Sequence, residues 1–398
     1  MRSMIPFLLG LLVVAAVVRV DFVFAVFYFI LALFVLTRVW QSRMFHPVHV
    51  DRRFLERAFH GEQVVVEVTI DNRGWLPIPW VELHEILPAQ LATPSFHRQV
   101  ISLGSHERRY LRYTLQGRRR GYYTIGPLKL TSSSLFGLHS PVSAQFQPGH
   151  LVVYPRVLPL ERLGLPTRSP LVALPARTPL FEDPSCVIGA RDYQPGDSPR
   201  HIHWTASAGS GRLLVKRYRP SISRETLICL DMDRDGYEGE YRFGAPELAI
   251  VAAASLARHV AAVERLPVGL ATEAHDPSSA APASFFLPPR PGWGQLMSVL
   301  EVLARIDTAA VAALPQWLPG QAARVSWGAT LTVVTGRESD PLYEALVTLR
   351  RAGFAVVLIL IHPTPASPGY RERAAQLRVP VYRVWRELDV MGGWGDFH

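Results

Sequence analysis

The stretch Thr226-Leu227-Ile228-Cys229-Leu230-Asp231-Met232-Asp233-Arg234-Asp235-Gly236 decides how the carboxy-terminal half is read. A short β-favouring apolar run that breaks abruptly into alternating carboxylates is a buried strand delivering a polar loop to one end of a sheet. Downstream, residues 247–263 place Leu248, Val251, Ala252, Leu256, Val260 and Val263 at the spacing of a helix that lies against such a sheet. Residues 267–271, 329–334, 354–361 and 381–385 repeat the strand pattern, and helical periodicity near 294–306 and 342–352 separates several of them. Strands alternating with helices predict a doubly wound, mostly parallel α/β domain over residues 221–390.

The acidic loop invites a metal reading. Asp231, Asp233 and Asp235 stand at i, i+2 and i+4, where carboxylate oxygens can converge on a hard cation such as magnesium or calcium. With Gly236 they also match the opening of a calcium loop. The twelfth position is Arg242 instead of glutamate, and no helix precedes the run, so an EF-hand is not expected. The plainer reading is a polar loop without metal. Gly292-Trp293-Gly294-Gln295 lacks the lysine and hydroxyl of a phosphate loop, so the chain is not expected to bind a nucleotide.

Working upstream, residues 185–220 concentrate charged, aromatic and turn-forming side chains: Arg191-Asp192-Tyr193-Gln194-Pro195-Gly196-Asp197-Ser198-Pro199-Arg200-His201-Ile202-His203-Trp204. Pro195-Gly196 favours a tight turn. A hydrolase would use Asp192 or Asp197 with His201 or His203, yet nothing nearby supplies a nucleophile and an orienting group. The blander reading is a rigid clasp in which Arg191 and Arg200 pair with carboxylates.

Before this segment, residues 156–184 are proline-rich and without periodicity, as in an extended connector. Residues 47–155 have another period. Residues 64–70, 80–85, 110–115, 121–130 and 151–154 are short β-favouring runs closed by turn residues such as Asp71-Asn72-Arg73-Gly74. They predict an antiparallel β-sandwich. His84, His97, His106 and His139 are scattered through it and suggest no metal cluster.

At the amino terminus, Ile5 to Val18 and Phe22 to Thr37 are apolar runs separated by Arg19 and Asp21. Each is shorter than the roughly 20 residues of a comfortable span. Flanking residues lengthen them, giving a membrane hairpin over residues 1–40 with helices at about 4–20 and 22–40. Trp40 suits the headgroup belt, and Arg2, Arg38 and Arg43 lie on the outer flanks, so the positive-inside rule puts both ends in the cytoplasm. A cleavable signal peptide and a re-entrant hairpin remain alternative readings of the same stretch.

The formal charge of +9 is carried by arginine, with Lys129 and Lys216 the only lysines. On an anchored domain that surface is expected to meet anionic lipid headgroups. No finger spacing or recognition helix points to nucleic acid. Of the two cysteines, Cys229 sits in an apolar run and reads as a small buried hydrophobe.

The polar segment resembles the signature of the bacterial DUF58 family. Arg191, Tyr193, Gly196, Asp197, Arg200, Ile202 and Trp204 fall on its pattern, followed by Leu213-Leu214-Val215-Lys216. Upstream, Arg120-Gly121-Tyr122-Tyr123-Thr124-Ile125-Gly126-Pro127 and Leu135-Phe136-Gly137-Leu138 are also similar, so the resemblance extends over nearly the whole chain. Thr205 and Gly209 depart from it, standing where lysine and arginine are common in the family.

The resemblance implies a von Willebrand factor A-like domain on a membrane-associated bacterial protein, which the hairpin makes a two-pass protein of the inner membrane. It also implies a non-enzymatic scaffold or interaction role, with a MoxR-type AAA+ ATPase as partner. A-like domains often bind a divalent cation through Asp-x-Ser-x-Ser, but here two serines are replaced by Asp233 and Asp235, and Thr335-Gly336-Arg337 offers no later aspartate. A hydrolase and a metal-dependent adhesion module remain the alternatives.

Overall fold

The structure is a computed structural model of the chain, described over residues 4–18, 21–92, 98–133, 140–160, 182–194, 202–220, 225–237, 244–279, 281–361 and 379–385. It divides into two compact units, Met1–Pro155 and Arg156–His398.

The first unit opens with two apolar helices that pack on each other, α1 (Met4–Val18) and α2 (Asp21–Arg43). At 15 residues α1 is about 22 Å long, and at 23 residues α2 is about 35 Å long. Only 11% of the most apolar window of α2 is buried, and Phe22, Phe29, Val35, Leu36 and Val39 face outward. Thr37 satisfies its hydroxyl on the Leu33 and Phe34 carbonyls at 2.8 and 3.0 Å, which lets a polar residue sit in an apolar helix.

The chain passes from α2 into the β module through a tight turn. Met44 N–H donates to Trp40 O, His46 N–H to Arg43 O and Val48 N–H to Phe45 O. Met44 is buried in the core of the module, and Trp40 and Phe45 pack on that core. The helix and the first strand therefore form one continuous body.

The module contains β1 (Val48–Arg53), β2 (Arg57–Ala58), β3 (Gln63–Asn72), β4 (Ile78–Glu85), β5 (Leu91–Ala92) and β6 (Arg98–Leu103). After these come β7 (Arg108–Gly117), β8 (Gly121–Ile125), β9 (Leu128–Ser132), β10 (Val142–Phe146) and β11 (Gly149–Val153). They form sheets of order β1-β3-β7-β5, β10-β9-β4-β6 and β2-β11-β8. Strict alternation drives the packing: along β3, Val64, Val66, Val68 and Ile70 point into the shared core and intervening residues point out.

One inward position of β1 is charged. Arg52 pairs with Glu85, the two side chains being 8% and 0% exposed, and its guanidinium also donates to the Ile125 and Gln147 carbonyls at 3.2 and 3.1 Å. Burial raises the Glu85 carboxyl above the usual range, and the neighbouring Arg52 charge opposes the rise.

The second unit begins with an antiparallel pair, β12 (Glu182–Asp192) and β13 (Leu214–Pro220), joined across the short helix α3 (Trp204–Ser210). Its main sheet has the order β16-β15-β14-β17-β18-β19. These strands are β14 (Thr226–Leu230), β15 (Val268–Ala274), β16 (Ala283–Arg290), β17 (Thr330–Thr335), β18 (Ala355–Ile361) and β19 (Val381–Val384). All pairings are parallel except that of β16, which lies antiparallel at the edge. Pro288 and Pro289 fit there, because an edge strand leaves one side without ladder partners.

Helices cover both faces. Leu227 and Cys229 of β14 share a core with Leu314, Trp317 and Leu318 of α6 (Leu314–Ala322) and Leu342 and Leu346 of α7 (Asp340–Arg351). By alternation Ile228 and Leu230 face the other side, where α4 (Ala245–Arg258) packs on β14 and α5 (Trp293–Arg305) on β15. Residues 245–263 are apolar enough to cross a membrane, but 67% of that window is buried, making this stretch a core helix. Cys229 is fully buried, and burial pushes its thiol up to about 12, as befits an inert core residue.

Candidate functional site

In the main sheet, β14 leads through α4 to β15 on one side, while β17 leads through α7 to β18 on the other. The chain directions part between β14 and β17, and a crevice outside the carboxyl ends of such strands is where open α/β sheets place ligands. The residues that follow these two strands meet there.

Asp231 is the centre of that meeting. Its N–H donates to Val334 O at 2.9 Å, continuing the strand pairing by one residue. Its Oδ2 accepts the Thr335 hydroxyl at 2.7 Å, and its Oδ1 accepts the Asp233 N–H at 3.1 Å. The Tyr237 hydroxyl donates to its backbone carbonyl at 2.7 Å. Burial raises the Asp231 carboxyl to about 6, while the Thr335 and Asp233 donors and the Arg337 charge hold it lower than burial alone would.

The rest of the loop is tied inward. Asp233 accepts the Asp235 N–H at 3.4 Å and caps a single 3-10 turn, Arg234–Gly236. Arg234 N–H donates to Ala309 O at 2.8 Å, and Ala309 N–H to Met232 O at 3.1 Å. Glycine is needed at two points of close approach. A Cβ on Gly336 would lie 2.5 Å from the Tyr237 ring and 2.8 Å from Gly236 O, and one on Gly236 would lie 3.0 Å from Asp231 Oδ2.

The loop's oxygens are engaged by the protein's own donors. Both carboxylate oxygens of Asp231 accept protein donors, and Thr335 gives its proton to Asp231 while its oxygen accepts the Arg337 N–H at 3.2 Å. Asp235 is exposed, and the Arg337 guanidinium donates to its backbone carbonyl at 3.4 Å, placing a cation of the protein's own at the rim. Among the described residues no group of three or more His, Cys, Asp or Glu side chains is arranged to hold a metal.

The signature segment gathers around the start of β13. Val215 has Arg191 opposite it in β12 and Ile202 opposite it on its other edge. Tyr193 N–H donates to Leu213 O at 2.9 Å and His203 N–H to Leu214 O at 2.8 Å. Ile202 is buried, Lys216 is half-buried opposite Ala190, and Arg191 and Asp192 are exposed at the end of β12.

His203 Nδ1 accepts the Ala206 N–H at 3.2 Å as the N-cap of α3, which occupies the ring nitrogen facing the helix. Trp204, which a closed clasp would bury, is 67% exposed at the first position of α3. The Arg191 guanidinium donates to the Asp192 backbone carbonyl at 3.2 Å. Gly196, Asp197, Arg200 and His201 lie outside the described residues, as do Leu135 to Leu138.

Residues 189–334 match the model of a family described as a protein of unknown function, DUF58. A DUF58-family domain occupies this span. The match takes in the signature pair β12–β13, the acidic loop and the sheet as far as β17, while the similar stretch around Arg120 to Pro127 falls outside it. The DUF58 span and the strands beyond it form a mixed sheet with helices, consistent with a von Willebrand factor A-like domain.

No curated protein is similar enough to match the chain. Similar solved structures include a CARDB domain from Pyrococcus furiosus in complex with di-metal ions, at 16% identity over 27% of this chain and 91% of that one, with a TM-score of 0.20. Native alpha-2-macroglobulin from Escherichia coli, from domain MG7 to the C-terminus, is 14% identical over 28% of this chain and 17% of that one, with a TM-score of 0.25. The C-terminal domain of wzt is 11% identical over 28% and 75%, with a TM-score of 0.21. Overlaps this slight carry no weight for the DUF58 domain, whose fold rests on its own strand order.

Proposed function

We propose that this protein is a membrane-anchored, non-catalytic interaction protein that presents its A-like domain to a cytoplasmic protein partner. In this reading α1 and α2 form a two-pass hairpin in a bacterial inner membrane, with the amino terminus and both soluble parts in the cytoplasm. The β module is an antiparallel sandwich that follows the anchor in the chain.

The observation that carries the reading is the contrast between two apolar helices. The α4 window is two-thirds buried and serves a core, whereas only 11% of the most apolar window of α2 is buried. About 35 Å of helix is enough to cross a hydrocarbon core of roughly 30 Å. The shorter α1 crosses with help from its flanks and local thinning of the bilayer.

Two features support an interaction role. Trp204 is exposed at the start of α3, and large aromatics of this kind anchor protein interfaces; Leu213, ahead of β13, is exposed as well. The crevice between β14 and β17 ends in a loop whose carboxylates are internally bonded, leaving Arg337 and the Asp235 side chain at its rim. The partner class suggested by the DUF58 resemblance is a MoxR-type AAA+ ATPase, which would supply the nucleotide chemistry that this chain lacks a phosphate loop to perform.

The test is affinity purification of the full chain from solubilised membranes, beside a Trp204→Ala variant. Capture of an ATPase by the parent chain and its loss from the variant supports the reading. Recovery of the parent chain alone, from membranes that contain the ATPase, overturns the partner assignment.

A further inference from the structure

We propose that the end of the β module nearest α2 is a docking rim that rests in the headgroup layer of an anionic bilayer, the membrane in which α2 is anchored. The inference rests on that anchor.

Strand register places the rim. Val48, at the start of β1, is opposite Asn72 at the end of β3, and Ile78, at the start of β4, is opposite Leu103 at the end of β6. Residues 73–77, between β3 and β4, and residues 104–107, between β6 and β7, therefore lie beside the turn by which α2 enters the module. Arg73 N–H donates to Pro47 O at 3.1 Å within that turn.

The helix sets the level of this end. Counted from Asp21, a hydrocarbon core of roughly 30 Å takes up about 20 residues of helix and ends near Trp40. Thr37 and Trp40 line a cleft with Pro79 and Trp80 at the start of β4. The rim thus stands where the headgroups begin.

It presents a tryptophan on a stiff loop. Trp75 is 75% exposed, while Leu76 and Ile78 are buried. Asn72, also buried, donates from Nδ2 to Leu76 O at 2.9 Å and Gly104 O at 2.8 Å, and its Oδ1 accepts the Gly74 N–H at 3.1 Å. His106 N–H donates to Gly74 O at 3.1 Å and ties the two loops together. Little backbone freedom is left to lose when the indole meets a surface. An indole, apolar with one N–H, is the side chain that suits the headgroup level.

Local charge selects the kind of surface. Residues 43–49, 71–77 and 103–109 carry Arg43, Arg73, Arg108 and Arg109 against Asp71 and Glu107. Arg73 and Arg108 share the Asp71 carboxylate at 3.2 and 2.9 Å, and Arg109 pairs with Glu107 at 2.6 Å. All four arginines are exposed, so the excess positive charge is at the rim itself, as attraction to anionic headgroups requires. The same arginines suit an acidic protein, but the bilayer is the surface already beside them.

The test is tryptophan fluorescence of the full chain in proteoliposomes of phosphatidylcholine alone or with an equal part of phosphatidylglycerol, with and without chain-brominated lipid as quencher. The Trp75 signal is the difference between the parent and Trp75→Phe. It is expected to be quenched by brominated lipid in the anionic liposomes and much less in phosphatidylcholine alone. An Arg73→Gln, Arg109→Gln variant should lower the ratio of docked to undocked rim about fivefold for each arginine removed. Blue-shifted emission without quenching marks a rim covered by protein and overturns the proposal, as does a Trp75 signal that remains that of water. Equal quenching in both liposomes and in the arginine variant overturns the assignment to an anionic surface. Alkaline extraction of the same liposomes separates the two failures: a retained chain whose Trp75 is not quenched sinks the rim alone, and a released chain sinks the anchor.

Discussion

The Thr335 hydroxyl donates to Asp231 Oδ2 at 2.7 Å, joining the ends of two parallel strands 104 positions apart in sequence. This bond sits where the chain directions of the sheet diverge, at the point an A-like domain would use for ligands. It turns an acidic loop into a closed polar lattice. Thr335→Val removes the donor and leaves a buried carboxylate oxygen unanswered, so it should destabilise the domain by about 1–3 kcal/mol, read as a lower midpoint in urea denaturation. Thr335→Ser, which keeps the hydroxyl, should recover most of the loss.

Asp231 also gives the domain a pH signature. Its carboxyl is raised from 3.8 to about 6, so the folded state holds the proton more tightly than the unfolded state does. Its contribution to stability is therefore most favourable below about pH 4, falls as pH rises toward about 6, and is level above that. The full difference is on the order of 3 kcal/mol. Asp231→Asn can accept from Asp233 N–H and donate to Thr335, so it should stabilise the domain at neutral pH and flatten the dependence between pH 4 and 6. A variant with the parent slope would contradict this role for Asp231.

Gly336→Ala brings a methyl to 2.5 Å from the buried Tyr237 ring. Overpacking of this kind costs about 1–3 kcal/mol. Thermal melting should show the loss, and Tyr237→Phe should not relieve it, because the clash is with the ring and with Gly236 O.

In the β module, Arg52→Ala strands the buried Glu85 carboxylate and should cost about 3–5 kcal/mol. An Arg52→Met, Glu85→Leu double variant should recover most of that, because two apolar side chains leave no buried charge unpaired. Similar melting of the single and double variants would contradict a buried ion pair.

The main sheet was legible because its inner strands are unbroken apolar runs: β14, β17 and β18 bury nearly every residue, so no alternation is needed to see them. The edge strand β16 was not, since Pro288 and Pro289 argue against a strand unless its edge position is known. Helix α6 hid for the same reason, with Pro319 inside it. Strand β1 was obscured by Arg52, a charge at an inward position that only its partner Glu85, 33 positions away, explains. At the crevice, the sequence revealed the three carboxylates, but the bond from Thr335 and the tie from Ala309 belong to tertiary structure and leave no local pattern.

Trp204→Ala should change stability by less than about 0.5 kcal/mol, because the side chain is largely exposed. Loss of partner capture without loss of melting temperature would mark Trp204 as part of the interaction surface.

The most direct measurement concerns the anchor. Spheroplasts carrying the full chain with an epitope after His398 are treated with protease, and their membranes are then extracted at alkaline pH. A two-pass anchor with cytoplasmic domains predicts that the epitope survives until the cells are lysed and that the chain stays in the extracted membrane. An epitope digested on intact spheroplasts, or a chain released by alkali, would contradict it.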